Sequence, residues 1–195
     1  MKIEDALMES KKVLDKKRYE HVERVTETAK VLAEKYNANQ QQVMLAAALH
    51  DYAKNFSHEN LKQWIVTHID LPKNLLHYHH ELWHGPVGAK IAESQFGIHD
   101  QEVLNAIRYH TTGRKGMTLV EKIVFIADYI EPGRDFPAVY QARELVQQHI
   151  DYACLYALKE TISFLMEKKQ SIHPDTFFAY NDLLNQCINQ KMEVE

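Results

Sequence analysis

Residues 43–54 read Val43-Met44-Leu45-Ala46-Ala47-Ala48-Leu49-His50-Asp51-Tyr52-Ala53-Lys54. Val43, Ala46, Ala47 and His50 recur at i, i+3, i+4 and i+7, so the apolar stripe of a core-facing helix ends in a histidine with a carboxylate directly after it. Neighbouring residues on a helix diverge by about 100° in direction, so this doublet can embrace one ion from two sides or bridge two. Matching partners stand elsewhere in the chain at His21, His84, His110 and Asp128. The six together read as a metal site.

Outward from the doublet, the pattern stays helical. Val22, Val25, Ala29 and Leu32 mark a helix from about Lys17 to Tyr36, with His21 on its inner flank. Asp100 is placed to cap a helix whose stripe of Val103, Ala106 and Ile107 again ends in a histidine, His110. Thr118 and Glu121 form a capping-box pattern. Val120, Val124, Ala127 and Asp128 follow along one side until Pro132-Gly133 stops the helix. A carboxylate on such a face costs several kcal/mol unless a cation or strong donors meet it. His84 precedes Gly85-Pro86, and Pro86 suits the first turn of a helix reaching to Gly97.

Composition agrees with helix throughout. Gly (6) and Pro (5) are scarce in 195 residues, apolar residues make up 45%, and strong helix formers fill the stretches between breakers. The reading is one domain over 1–195, with a ligand-bearing core at about 17–135 and a helical scaffold at about 137–191. A net charge of −4 argues against duplex nucleic acid as a partner. The charged start, MKIEDALMESKK, is no secretory signal, and stretches such as LVEKIVFIA are broken by charge before membrane-spanning length, so a cytoplasmic protein with no membrane partner is expected. Cys154 and Cys187 fall at apolar positions and read as reduced core thiols.

A single histidine in a helix stripe is more often a core or surface residue than a ligand. The joint placement on separate helices is what favours ligation here. His58, His68, His77, His79, His80, His99 and His149 lack it and read as solvated, and Arg24, Arg108 and Arg114 as ordinary exposed cations. His80-Glu81-Leu82-Trp83-His84 satisfies the H-E-x-x-H pattern of zinc proteases, but that motif needs an uninterrupted helix, which Gly85-Pro86 disfavours. It also leaves the other five positions unexplained.

Several motifs are recognisable: HVER from His21, HDYAK from His50 to Lys54, HGPVGA from His84, AIRYHTTG from Ala106 to Gly113, and ADYIEPGR from Ala127 to Arg134. With the late segment Ile172 to Thr176 and Tyr180-Asn181, they closely resemble the YqeK-type branch of the HD superfamily over most of the chain. The resemblance implies an all-α HD-domain helical bundle with an internal metal cleft. It also implies symmetrical bis(5'-nucleosyl)-tetraphosphatase activity, which cuts diadenosine tetraphosphate, a dinucleoside polyphosphate, into two ADP.

Carried over by position, the resemblance implies that His21, His50, Asp51 and Asp128 bind the core metal, with Asp51 able to bridge. His84 and His110 complete a second metal position or contact substrate phosphate. Lys54 and Arg134 match phosphate-binding positions, and Asp51, Lys54, Asp128 and Arg134 form the catalytic set. Thr111 continues the His110 strip toward substrate, and His173 through Tyr180 line the nucleoside side. The family's cofactor is iron, here dinuclear, with manganese or zinc as alternatives. A homodimer is left open.

The chemistry suits these residues on its own terms. Phosphoanhydride hydrolysis needs an activated water and positive charge where negative charge accumulates, and two metals about 3.5–4 Å apart supply both. A mixed imidazole and carboxylate set favours iron, manganese or zinc over magnesium. Competing readings are another HD phosphohydrolase, acting on nucleoside monophosphates, cyclic nucleotides or guanosine alarmones, and a noncatalytic nucleotide sensor.

Overall fold

Helix α3, Gln40–Leu49, is capped by the Asn39 side chain and has Val43 and every residue from Leu45 to Leu49 buried. A helix apolar all round has to sit inside the molecule, and α3 packs against α1 (Ile3–Val13), α2 (Lys16–Lys35), α6 (Gln101–Tyr109) and α7 (Leu119–Ile130). The structure, a computed structural model, describes residues 1–192, with side chains described to residue 189. Residues 193–195, included in the one-domain expectation, lie outside the described residues.

The caps at Asp100 and Thr118 fall where the sequence places them, and the structure adds one at Asp15. Asp15 opens α2 by accepting from the Arg18 amide at 2.9 Å. Asp100 opens α6, accepting from the amides of Glu102 and Val103. Thr118 and Glu121 form the reciprocal capping box of α7, which stops at Ile130 before Pro132. The remaining helices are α4 (His58–Thr67), α5 (His84–Ser94), α8 (Pro137–Gln148), α9 (Ile150–Glu167) and α10 (Pro174–Met192), with short 3₁₀ turns at Lys73–His77 and His80–Leu82. Among the described residues there is no strand, and no helix is long and apolar enough to cross a membrane. Cys154 and Cys187 are both buried and form no disulfide.

Two helices carrying candidate ligands end on them. His50 follows the last residue of α3 and His110 the last of α6, each with helical backbone angles. His84 is the first residue of α5, and Pro86 lies in its first turn. The zinc-protease pattern is thereby split: His80 and Glu81 belong to a 3₁₀ turn, and a new helix begins at His84. Glu81 is more than half exposed, and the His80 ring lies 3.8 Å from that of His58.

Gly85 lets the start of α5 approach the end of α6. A Cβ there would lie 2.8 Å from the Arg108 carbonyl oxygen, 3.2 Å from that of Ile107 and 3.4 Å from Cε1 of His110. Two of these neighbours are backbone and cannot swing aside. Gly85→Ala is expected to destabilise by about 1–3 kcal/mol, as overpacking does. In a chain of this size that lowers the melting temperature by roughly 3–10 °C. A thermal melt identical to wild type would mean that the two helices separate without cost.

Candidate metal centre and its clefts

The architecture brings all six predicted ligands together. His21 comes from α2, His50 and Asp51 from the end of α3, His84 from the start of α5, His110 from the end of α6 and Asp128 from α7. All are buried except Asp128, whose side chain is 18% exposed. Donor atoms converge within 4.8 Å of one another in three overlapping sets: His21, His50 and Asp51; His50, His110 and Asp128; and Asp51, His84 and His110.

Asp51 divides its two oxygens between the histidines. Its Oδ2 lies 3.7 Å from His21 Nε2 and 3.4 Å from His50 Nε2. Its Oδ1 lies 3.0 Å from His84 Nε2 and 3.8 Å from His110 Nε2. This is the arrangement a bridging carboxylate needs. Asp128 Oδ1 sits 3.0 Å from His21 Nε2.

Buried Nε2 atoms of His21 and His50 have no hydrogen-bond partner among the described residues. The 3.0 Å approach of Asp128 to His21 is therefore an ion-pair distance without hydrogen-bond alignment. Orphaned buried nitrogens facing carboxylates are costly unless a cation joins them. The donor set fits a divalent metal.

Local geometry fixes which ring nitrogens are bare. The Nδ1 atoms of His50 and His110 lie 2.7 Å and 2.8 Å from the carbonyl oxygens of Ala47 and Ile107, three residues back. A carbonyl only accepts, so Nδ1 carries the proton and Nε2 keeps its lone pair. At His21 the Nδ1 partner is the Glu131 carboxylate, at 3.0 Å. His84 has no Nδ1 partner among the described residues. Its Nε2 faces that of His110 at 2.9 Å, and one of the two must donate.

Electrostatics keep the set ready for a cation. Burial, reinforced by His84 and His50, pushes the His110 pKa down to about 3. Burial also lowers that of His84, against the pull of Asp51. For His50 burial is outweighed by the Asp51 carboxylate, and the pKa rises. Burial would raise Asp51 and Asp128, but His50 and His84 hold the first well below the ordinary carboxylate range, and His21 with Arg134 do the same for the second. Near neutral pH His84 and His110 are thus neutral and both carboxylates charged, as metal ligation requires.

Around the cluster the phosphate candidates are tethered. Arg134 donates from Nη2 to Asp128 Oδ1 at 2.6 Å and from Nε to the Asp128 carbonyl at 3.0 Å. Lys54 donates to Glu81 at 2.5 Å. A cleft of about 450 Å³ opens beside the cluster, with His21 in its wall and Lys17, Arg18, Arg24 and Arg134 along it. Thr111 and His173 meet in a second cleft of about 270 Å³ with Arg108, Thr112 and Asp175. Tyr180 is not brought into that cleft and packs half-buried against the core. A further hollow of about 510 Å³ is lined by Tyr129, Phe136 and Phe164 and contains none of the six ligands.

Several residues escaped the sequence reading. Arg18 donates to Asp51 Oδ2 at 2.8 Å, and its position three residues before His21 on one helix face is the signal that could have found it. Glu131 stands at the same spacing after Asp128, but its pairing with His21 across 110 residues is made only by the fold. Arg24 and Arg114, read as exposed cations, are paired with the buried carboxylates of Glu131 and Glu121.

Comparison with known proteins agrees with this geometry. The HD domain family model matches residues 18–133. A protein of Bacillus subtilis named bis(5'-nucleosyl)-tetraphosphatase, symmetrical, is 44% identical over 95% of this chain and 99% of its own length. One of the same name from Staphylococcus aureus is 44% identical over 93% of this chain and 94% of its own. The crystal structure of an HD superfamily hydrolase from Clostridium acetobutylicum, described as involved in NAD metabolism, superposes with a TM-score of 0.88 at 35% identity, covering 94% of this chain and 97% of that one. The chain belongs to the HD-domain family, and within it to the group of symmetrical bis(5'-nucleosyl)-tetraphosphatases.

Proposed function

We infer that this protein hydrolyses diadenosine tetraphosphate symmetrically into two ADP. The observation that carries the reading is the cleft with His21 in its wall: Arg18 and Arg134, held on Asp51 and Asp128, line it beside a buried imidazole and carboxylate cluster and suit a polyphosphate chain whose anhydride is to be cut. His21, His50, Asp51, His84, His110 and Asp128 are assigned as ligands of a dinuclear site. Iron is the assigned metal, with manganese and zinc as alternatives. When bound, such a pair supplies Lewis acidity at phosphoryl oxygen and an activated water.

The chain's own groups account for the rest. Arg134 presents a planar fork to phosphate oxygens while anchored on Asp128. Lys54 acts as a point charge, and an incoming phosphate competes with Glu81 for it. Together they neutralise the departing nucleoside diphosphate. Thr111 and His173 line the second cleft, which is assigned to a nucleoside half of the substrate.

The test is product analysis with metal determination. Diadenosine tetraphosphate should give ADP as the sole nucleotide product. In oxygen-18 water only one of the two ADP molecules should carry label, because water attacks a single phosphorus. A three-phosphate analogue should yield ADP and AMP, more slowly. AMP with ATP from the tetraphosphate would place the attacked phosphorus one position off, and binding without turnover would favour the sensor reading.

A further inference from the structure

Three groups, two from α2 and one from the turn after α7, close around one carboxylate. Glu131 is 1% exposed and follows α7 directly. Its Oε1 faces His21 Nδ1 at 3.0 Å. Its Oε2 accepts from Arg24 Nε at 2.6 Å and from the Gly133 amide at 2.5 Å. Arg143 of α8 pins the same turn, donating to the carbonyls of Ile130 at 2.9 Å, Glu131 at 2.8 Å and Arg134 at 3.0 Å.

We propose that Arg24, Glu131 and the Gly133 turn form a positioning relay that holds His21 in the tautomer with Nδ1 protonated, so that its Nε2 lone pair is aimed permanently into the metal centre. His50 and His110 obtain the same tautomer from carbonyls three residues back, because each stands where its helix has just ended. His21 lies in the middle of α2, where main-chain carbonyls are taken up by the helix itself, so it needs an acceptor from another element. An ionised carboxylate is acceptor-only, and with two strong donors on Oε2 and Arg24 Nη2 at 3.4 Å from Oε1, the imidazole proton is the close donor to Oε1.

Gly133 is part of the device. A Cβ there would lie 2.6 Å from Arg24 Nη2 and 2.7 Å from its Nε, so the guanidinium occupies the space a side chain would need. Any larger residue displaces Arg24 from Glu131. Glu131, Arg24 and Gly133 therefore act through His21 and touch no substrate in this role.

The proposal rests on the metal-centre reading, and its test separates the two. Zn²⁺ affinity would be measured by chelator competition, and the His21 tautomer by long-range proton–nitrogen NMR, on the metal-free and Zn²⁺-loaded protein. Wild type should bind Zn²⁺ and show His21 protonated at Nδ1 before metal is added. Glu131→Gln, whose amide can donate as well as accept, should give mixed His21 tautomers and a Kd raised roughly 10–100-fold, the usual effect of losing a ligand's supporting partner. Gly133→Ala and Arg24→Gln should shift both readouts in the same direction and keep the relay testable if Glu131→Gln folds poorly. Wild-type tautomer signals and Zn²⁺ affinity in these variants overturn the relay, whereas a wild-type protein that binds no Zn²⁺ overturns the metal centre and the relay with it.

Discussion

Asp51→Asn is expected to lower turnover by more than ~100-fold, since losses up to that size already follow when only the supporting partner of a metal ligand is removed. Asp51 is the residue both halves of the cluster share, one oxygen toward His21 and His50 and the other toward His84 and His110. An amide of the same shape replaces one of those oxygens by a donor and removes the negative charge that holds the neighbouring cations, Arg18 among them. Bound metal measured by elemental analysis should fall in step with activity, while far-UV circular dichroism stays that of wild type, because α3 ends before this position. Full metal content with wild-type turnover would show that the reaction is run elsewhere.

Arg134→Ala ranks second. Charge-assisted contacts to phosphate are worth roughly 1.5–3 kcal/mol each, so kcat/KM should fall roughly 10–100-fold. Lys54→Ala should do the same, and Lys168→Ala, at an exposed helix end, should not. The two active-site variants differ in one respect. Arg134 holds Asp128 by both side chain and carbonyl, so its loss should also weaken metal retention, whereas Lys54 is tied to Glu81 and its loss should leave metal content unchanged. Wild-type kinetics for both would place the phosphate chain in another cleft.

The candidate ligand set was legible in the sequence because its histidines use the same positions as packing. Histidines that extend an apolar stripe, at His50 and His110, are readable from period alone, and helix caps at Asp100 and Thr118 fixed where those stripes begin. The supporting groups were hidden for the opposite reason. Glu131 meets His21 across 110 residues and Arg24 across 107, so although Glu131 and Arg24 each stand three residues from a candidate ligand, only the fold joins them. Lys54 and Glu81 are likewise joined only by the fold, across 27 residues. The zinc-protease pattern misled in the reverse direction: its letters satisfy a helical spacing, and the backbone supplies a 3₁₀ turn and then a fresh helix.

The six candidate ligands arrive from five helices that touch nearly every part of the core, and no fragment of the chain carries a complete set. Metal binding at this candidate site would therefore be linked to global folding and add to stability. A ligand that binds only the native state at 100 times its Kd adds about 2.7 kcal/mol to stability, a sizeable share of the 5–15 kcal/mol typical of a domain. When the metal is scarce the protein becomes idle and easier to unfold together, so proteolytic turnover would clear empty copies faster than loaded ones. Its abundance in the cell would then follow the supply of its own cofactor, without a separate regulator.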